Sequence, residues 1–498
     1  MTTTSDTAVT ARTVADREQI FIGGHWVDSA GDEWIDLIDP WSEQRAARIR
    51  SATGEDVARA VQSARRSFDS GVWSGKSMAE RADVIDEIAT RLERRIDELT
   101  TLGVLEVGVP VTVSAMTQQM SAGLFRAVAA EARQFEQRED RVRADGGVSR
   151  ILREPNGVVA AIIPWNGPIG TIAFKVAPAL AAGCSVILKA APDAPLSPAV
   201  FADVIAELVD EGRIPEGVVS VLVADREVSE SLVTNTGVDH ITFTGSTTAG
   251  RRIAALAGDR IARVSLELGG KSAAIILDDA DLGHVLQSLP MGGCMQSGQA
   301  CIALTRVLVS RARHDEVVAA LSAAYSALPM GNPWEPTTIL GPLAGERHRD
   351  RVRSYIAGAV ADGAQVIAGG HAPAGVEQGY FVAPTLLDGV RNDMRVAQEE
   401  VFGPVISVIT YEDEDDAVAI ANDSIYGLSG AVYTEDLERG YAVAQRIRTG
   451  TVSVNGSVID FTLPFGGYKQ SGLGREGGIE GLEEFFETKT VHMPAPAQ

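Results

Sequence analysis

Gly157-Val-Val-Ala-Ala-Ile-Ile163, Cys184-Ser-Val-Ile-Leu188, Gly217-Val-Val-Ser-Val-Leu-Val223 and His240-Ile-Thr-Phe243 follow one another along one stretch of the chain, each short and almost wholly apolar. A strand covered on both faces carries apolar residues at successive positions, so these runs read as buried strands of a parallel sheet. Helical spacing fills the intervals. Ser197 to Val209 opens with a Ser-Pro pair suited to the N-cap and first turn, then sets Val200, Phe201, Val204, Ile205 and Leu208 on one stripe. Parallel strands need crossover helices of this kind, so Gly157 to Gly250 reads as a doubly wound α/β unit.

Upstream, Glu55 to Phe68 and Met78 to Leu102 read as amphipathic helices covering that sheet, the second with Val84, Ile85, Ile88, Leu92 and Leu99 on a common face. Downstream, strands Ser272 to Leu277 and Thr305 to Ser310 alternate with helices Asp315 to Leu328 and Arg347 to Ala361, which predicts a second α/β domain. Met1 to Gln19 lacks the apolar run of a signal peptide and reads as a loose arm, and Met493 to Gln498 as a Pro/Ala tail. Asn156 to Phe174 and Val285 to Thr305 are uncharged, but Pro164, Asn166, Pro168, Gln287, Gln296 and Gln299 interrupt them, so no membrane span is expected.

With 498 residues, 45% of them hydrophobic, the chain has material for two or more domains. A net charge of −23 argues against nucleic acid as a partner, because such binding neutralises phosphates with Lys and Arg. Cys184, Cys294 and Cys301 are too few for a disulfide framework and fit a reducing compartment, the cytoplasm.

A cysteine acts as a nucleophile through its thiolate and needs an accessible setting. Cys301, in Ser297-Gly-Gln-Ala-Cys301, has small neighbours that would admit a ligand to the sulfur; a buried structural thiol is the other reading, and it suits Cys184 better. Glu267 ends an apolar run before two glycines, in Val264-Ser-Leu-Glu-Leu-Gly-Gly-Lys271. Poor solvation there would raise its pKa toward that of a general base, unless Lys271 or an arginine pairs with it. Gly270-Lys271-Ser272 imitates the end of a phosphate-binding loop, but Ser265 stands where the first glycine is needed. Phe243-Thr-Gly-Ser246 joins a strand to a helix, where free backbone N–H groups can meet a pyrophosphate. Asn166, in Pro164-Trp-Asn-Gly-Pro168, reaches the carboxyl edge of the sheet and could donate to an oxyanion, or serve only as a turn residue.

Pro164-Trp-Asn, Leu188-Lys189, Phe243-Thr-Gly-Ser246, Leu266-Glu-Leu-Gly-Gly-Lys271, Gly298-Gln-Ala-Cys301, Glu399-Glu-Val-Phe-Gly-Pro404 and Pro464-Phe-Gly-Gly-Tyr-Lys-Gln-Ser-Gly472 together resemble the aldehyde dehydrogenase superfamily, in order and over nearly the whole chain. The resemblance implies an α/β fold with a Rossmann-type cofactor domain (1–133 and 153–266), an α/β catalytic domain (267–466) and a small β bridging element (134–152 and 467–498) that builds homodimers or homotetramers. It implies Cys301 as nucleophile, Glu267 as base, Asn166 and the Cys301 N–H as oxyanion donors, and Lys175 as a proton relay or electrostatic support. The implied cofactor is NAD, with NADP open, held by Ile163, Pro164, Trp165, Lys189, Pro192, Gly245, Ser246, Leu268, Glu400 and Phe402. No metal is implied. In that chemistry a thiohemiacetal on the cysteine is oxidised to a thioester, which water then cleaves to the acid.

Two departures matter. Pro192 replaces the glutamate with which NAD-preferring relatives often bind the adenosine ribose, and Ala190 replaces the usual proline after the lysine. Gly167 stands where many relatives have a bulky aromatic, so with Phe174, Met295, Ile302, Ile459 and Phe461 it predicts a roomy apolar pocket for a medium-sized aldehyde. Bacterial, geranial-dehydrogenase-like members of the family resemble it in this direction. Acylating members that pass the product to coenzyme A commonly lack the glutamate at the Glu267 position, so its presence favours water as acceptor over that alternative. A non-catalytic binding or structural relative is the third reading, and the joint presence of Cys301, Glu267 and Asn166 argues against it.

Overall fold

In the computed structural model, which describes residues 12–373, 375–457 and 460–495, the four apolar runs become neighbouring parallel strands. Along Val158–Ile162, Val159 and Ala161 enter one apolar cluster, while Val158, Ala160 and Ile162 enter another on the opposite face. Burial on both faces is the physical reason that polar residues are missing from these runs. The eight-stranded sheet runs in the order Gly472–Leu473, Arg263–Glu267, His240–Thr244, Val158–Ile162, Ser185–Ala190, Val219–Val223, Ile20–Ile22, His25–Val27. Helices Pro168–Ala182 and Leu196–Asp210 pack on the first face, and Gly54–Ser70 lies on the second.

A second, seven-stranded sheet is ordered Gln365–Ala368, Thr385–Asp388, Val405–Tyr411, Leu304–Ser310, Ser272–Ile276, Gly430–Tyr433, Ser453–Val454. A third, antiparallel sheet joins Phe486–Met493 to Val148–Pro155 and Arg138–Val142. The mixed α/β architecture is the expected one. Among the described residues no helix is long and apolar enough to cross a membrane.

Three local expectations need correction. Met78 to Leu102 is two helices, Met78–Arg94 and Ile96–Val107, broken at Arg95, whose side chain bonds Glu98, Asp203 and the Val200 carbonyl. Ser197 is not an N-cap: the helix starts at Leu196, and Glu106 accepts from the Leu196 and Ser197 N–H groups and from the Ser197 hydroxyl. A carboxylate from a distant helix thus satisfies the donors that a local cap would have taken. The N-terminal arm lies outside the described residues up to position 11, but from Arg12 it is docked, with Val14 N–H donating to Ala46 and Arg17 paired to Asp203.

Candidate active site

Open α/β sheets bind ligands beyond the carboxyl ends of their strands, and the candidate residues gather there. After Val158–Ile162 the chain turns through Ile163, Pro164, Trp165, Asn166 and Gly167 into helix Pro168–Ala182, whose first residue is a proline. Ile163 N–H donates to the Lys189 carbonyl (3.0 Å), tying this turn to the neighbouring strand. Asn166 Nδ2 donates to the Gln299 carbonyl (2.9 Å), two residues before Cys301.

The loop carrying Cys301 has an unusual backbone. Gln296, Ser297 and Gly298 are all left-handed, with φ of 48°, 58° and 75°. Two non-glycine residues there cost free energy that the surroundings must offset. Ser297 Oγ anchors the loop to the Gly341 carbonyl (2.8 Å), and the Gln299 side chain accepts from Ala344 N–H (2.9 Å). A Cβ on Gly298 would lie 2.2 Å from the Gly403 carbonyl carbon, and one on Gly270 would lie 2.3 Å from the Cys301 carbonyl oxygen. The small residues near the sulfur therefore serve close backbone packing first, a function the sequence reading did not assign them.

Glu267 ends strand Arg263–Glu267 and is 4% exposed, with no hydrogen-bond partner for either carboxylate oxygen among the described residues. The ion pair with Lys271 or an arginine does not form. Burial and the nearby Glu476 charge push its carboxyl well above the usual range, opposed by Lys175 and Arg475. Lys175 donates to Thr242 Oγ1 (3.0 Å) and pairs with Glu476, and both lie close enough to Glu267 for their charges to act on it. The Cys301 thiol is in turn pushed above its ordinary value by burial and by the charges of Glu400 and Glu267. Cys184 and Cys294 are fully buried with raised thiols.

Further polar groups gather around this centre. Ser246 caps helix Thr247–Asp259, whose first turn has no acidic residue, and Gly245 N–H donates to the Glu267 carbonyl (3.0 Å). Leu268 packs under that helix, where a Cβ on Gly250 would meet it at 2.4 Å. Glu400 accepts from Gly270 N–H (3.0 Å), and burial pushes its carboxyl up to about 7. Phe402, at φ 61°, meets Trp165 edge to face (5.5 Å between centroids). His348 bonds the Phe402 carbonyl (2.7 Å) and packs on both rings; burial pulls it down to about 4, so near neutral pH it is uncharged and donates through Nε2. Lys189 is 9% exposed, and its side chain has neither a hydrogen bond nor an ion pair among the described residues; Pro192 follows on the exit loop. Thr244 Oγ1 and Lys271 Nζ are buried and equally unpartnered.

On the other side of Cys301 the wall is carbon. Met295, Ala300, Cys301 and Phe461 pack against Ile302, Leu428 and Phe465, and the Phe174 ring meets those of Phe461 and Phe465 at 5.6 and 6.5 Å. A Cβ on Gly167 would touch nothing within 4 Å. Ile459 lies outside the described residues. The sequence reading missed Leu428 and Phe465, though Phe465 lies inside the quoted Pro464-Phe-Gly-Gly motif. It also missed Glu476, Arg475 and His348; an isolated histidine in Glu346-Arg-His-Arg-Asp350 carries no sequence signal of a ring cluster.

The aldehyde dehydrogenase family model matches residues 26–491. Geranial dehydrogenase of Castellaniella defragrans is 40% identical over 480 residues, covering 96% of this chain and 99% of the relative. A 3-succinoylsemialdehyde-pyridine dehydrogenase of a Pseudomonas species is 41% identical, with 96% and 98% covered. The crystal structure of a Mycobacterium tuberculosis aldehyde dehydrogenase complexed with NAD+ superposes with a TM-score of 0.94 at 41% identity, covering 98% of this chain and all of that one.

Proposed function

The chain belongs to the aldehyde dehydrogenase family, and from that premise we propose that Cys301 is the nucleophile, Glu267 the base and Asn166 an oxyanion donor in the oxidation of a bulky apolar aldehyde to its acid. It is an NAD(P)-dependent aldehyde dehydrogenase that uses NAD.

The observation that carries the assignment is Glu267: a buried carboxylate with no side-chain hydrogen bond or ion pair among the described residues, within electrostatic reach of the Cys301 sulfur. Such a group is costly to keep unless its proton affinity is used. In the proposed sequence Cys301 Sγ adds to the aldehyde carbon, and the Asn166 amide and Cys301 N–H donate to the oxygen that gains charge. The thiol gives its proton to solvent, and Glu267, its proton affinity raised by burial and Glu476, takes a proton from the water that cleaves the thioester. Lys175, paired with Glu476, offsets the negative charge around that carboxylate. NAD, when bound, would supply the two-electron oxidant, the acceptor for the hydride that the carbon attached to sulfur loses as the thioester forms.

The unpartnered polar groups and the helix start suit that cofactor. The acid-free first turn of helix Thr247–Asp259, with Gly245 and Ser246, would hold the pyrophosphate, and the unpartnered Lys189 the adenosine ribose. Glu400 would hold the nicotinamide ribose, with Phe402 and Trp165 shaping that end; Ile163, Pro164 and Pro192 would line the path and Leu268 would support the helix. The apolar wall of Phe174, Met295, Ile302, Phe461 and Phe465, open at Gly167, supports a medium-sized apolar aldehyde, as do relatives named for geranial and for a pyridine-bearing semialdehyde. Residues 1–133 with 153–266 would form the cofactor domain and 267–466 the catalytic domain. The largely exposed β sheet of 134–152 with the C-terminus would form the surface for a cytoplasmic homodimer or homotetramer.

Steady-state kcat/KM for aliphatic, terpenoid and aromatic aldehydes, each with NAD and NADP, tests this reading. Preference for bulky apolar substrates is expected; equal or better rates with short or charged aldehydes would overturn the substrate class.

A further inference from the structure

We propose that Asp225, at the edge of the strand beside Lys189, is the carboxylate that selects NAD over NADP in this chain. The inference rests on the reading that Lys189 and the Ser246 turn receive the adenosine end of the dinucleotide, and it explains how NAD is chosen although position 192 is a proline.

Strands Ser185–Ala190 and Val219–Val223 are parallel neighbours, with Lys189 opposite Leu222 and Ala190 opposite Val223. Their exits therefore lie side by side, and the chain reaches Asp225 two residues after Val223. Asp225 is fixed there as the N-cap of helix Arg226–Thr234: its Oδ1 accepts from Val228 N–H at 2.9 Å, and its Oδ2 has no partner among the described residues. An oriented carboxylate oxygen beside a buried, unpartnered lysine is the pair that a ribose 2′,3′-diol requires, one acceptor and one donor. Burial pulls the Lys189 ammonium down to about 8, and Asp193 and Asp225 oppose that shift.

A 2′-phosphate would enter the same place carrying close to two negative charges. It would meet Asp225 and Asp193 across Lys189. It would also meet the wall of an adjoining hollow of about 720 Å³ lined by Asp225, Arg226, Glu227, Glu230, Ser231 and Thr234. Three of those are acidic, and the one cation, Arg226, lies in the field of Glu230. Asp193, the other carboxylate near Lys189, is bonded by its own backbone N–H and faces the Arg347 cation, whereas Asp225 is held by the N–H of Val228 at the start of a helix and borders the acidic hollow, which is the ground for assigning the discrimination to Asp225. Discrimination then comes from a repulsive element against the wrong ligand rather than from an extra contact to the right one.

The test is equilibrium binding of NAD and of NADP, by calorimetry without aldehyde, to the full-length protein and to Asp225→Asn and Lys189→Ala. Asparagine retains the N-cap acceptor and removes only the charge. In Asp225→Asn the ratio Kd(NADP)/Kd(NAD) is expected to fall by about tenfold; an unchanged ratio in a variant with a wild-type circular dichroism spectrum would overturn the proposal. Asp225→Ser, which also caps, should give the same fall. Lys189→Ala should weaken both dinucleotides; if it weakens neither, the reading of the site itself fails, whatever Asp225→Asn does.

Discussion

The two walls that meet at Cys301 are built on opposite rules. Toward the strand ends, polar atoms are buried and left unpartnered: both Glu267 oxygens, Thr244 Oγ1 and Lys271 Nζ, with Lys189 beside them. On the other side, Phe174, Phe461, Phe465, Ile302 and Leu428 present only carbon. Unpartnered buried polar groups cost about 1–3 kcal/mol each, so a carboxylate and an ammonium left so at one place point to a ligand or a reaction that uses them. An apolar wall stabilises the fold by its own packing and selects a ligand by shape alone. Substitutions on the polar wall should therefore change the chemical steps, and those on the carbon wall should change only which aldehyde is accepted.

The largest effect is expected at the junction. Cys301→Ser should lower kcat by roughly 10⁴-fold or more while NAD affinity, read by titration, stays within about twofold. Retained turnover would remove the junction from the scheme. On the polar wall, Glu267→Gln should slow thioester cleavage by about 10²–10⁴-fold and leave a single-turnover burst of reduced cofactor. Its pH dependence has a defined sign. Because burial raises the Glu267 carboxyl, deacylation by the wild-type protein should increase as pH rises through the carboxyl's raised value and fade below it, and Glu267→Gln should flatten that limb. Asn166→Ala should cost about 10²–10³-fold in kcat. The smallest effect belongs to the carbon wall: Phe461→Ala should reduce kcat/KM for bulky apolar aldehydes by about tenfold and leave short ones nearly unchanged. Equal losses for all aldehydes would break the contrast between the walls.

The sequence exposes these walls unequally. Strands buried on both faces leave continuous apolar runs, and the turns after them carry Asn166, Ser246 and Glu267, so that part of the polar wall was legible, whereas Glu476, Arg475 and His348 were not. The carbon wall was legible only in part. Leu428 and Phe465 come from segments far from Cys301 in sequence, and an apolar residue in a loop looks the same whether it lines a cavity or fills a core. Backbone devices were also hidden. Nothing local to Gln296-Ser297-Gly298 announces three left-handed residues, because Ser297 to Gly341 and Gly298 against Gly403 are tertiary contacts. The same holds for Glu106, which caps helix Leu196–Asp210 from another element and displaces the cap that Ser197 advertises locally.

The central claim is that Cys301 carries the acyl group and Glu267 releases it. The most direct measurement is the mass of intact Glu267→Gln protein, and of its Cys301 peptide, after acid quenching of a single turnover with NAD and an apolar aldehyde. The account predicts one acyl group per chain, on Cys301, matched by one equivalent of reduced cofactor. Reduced cofactor formed without an adduct, or an adduct on another residue, would contradict it.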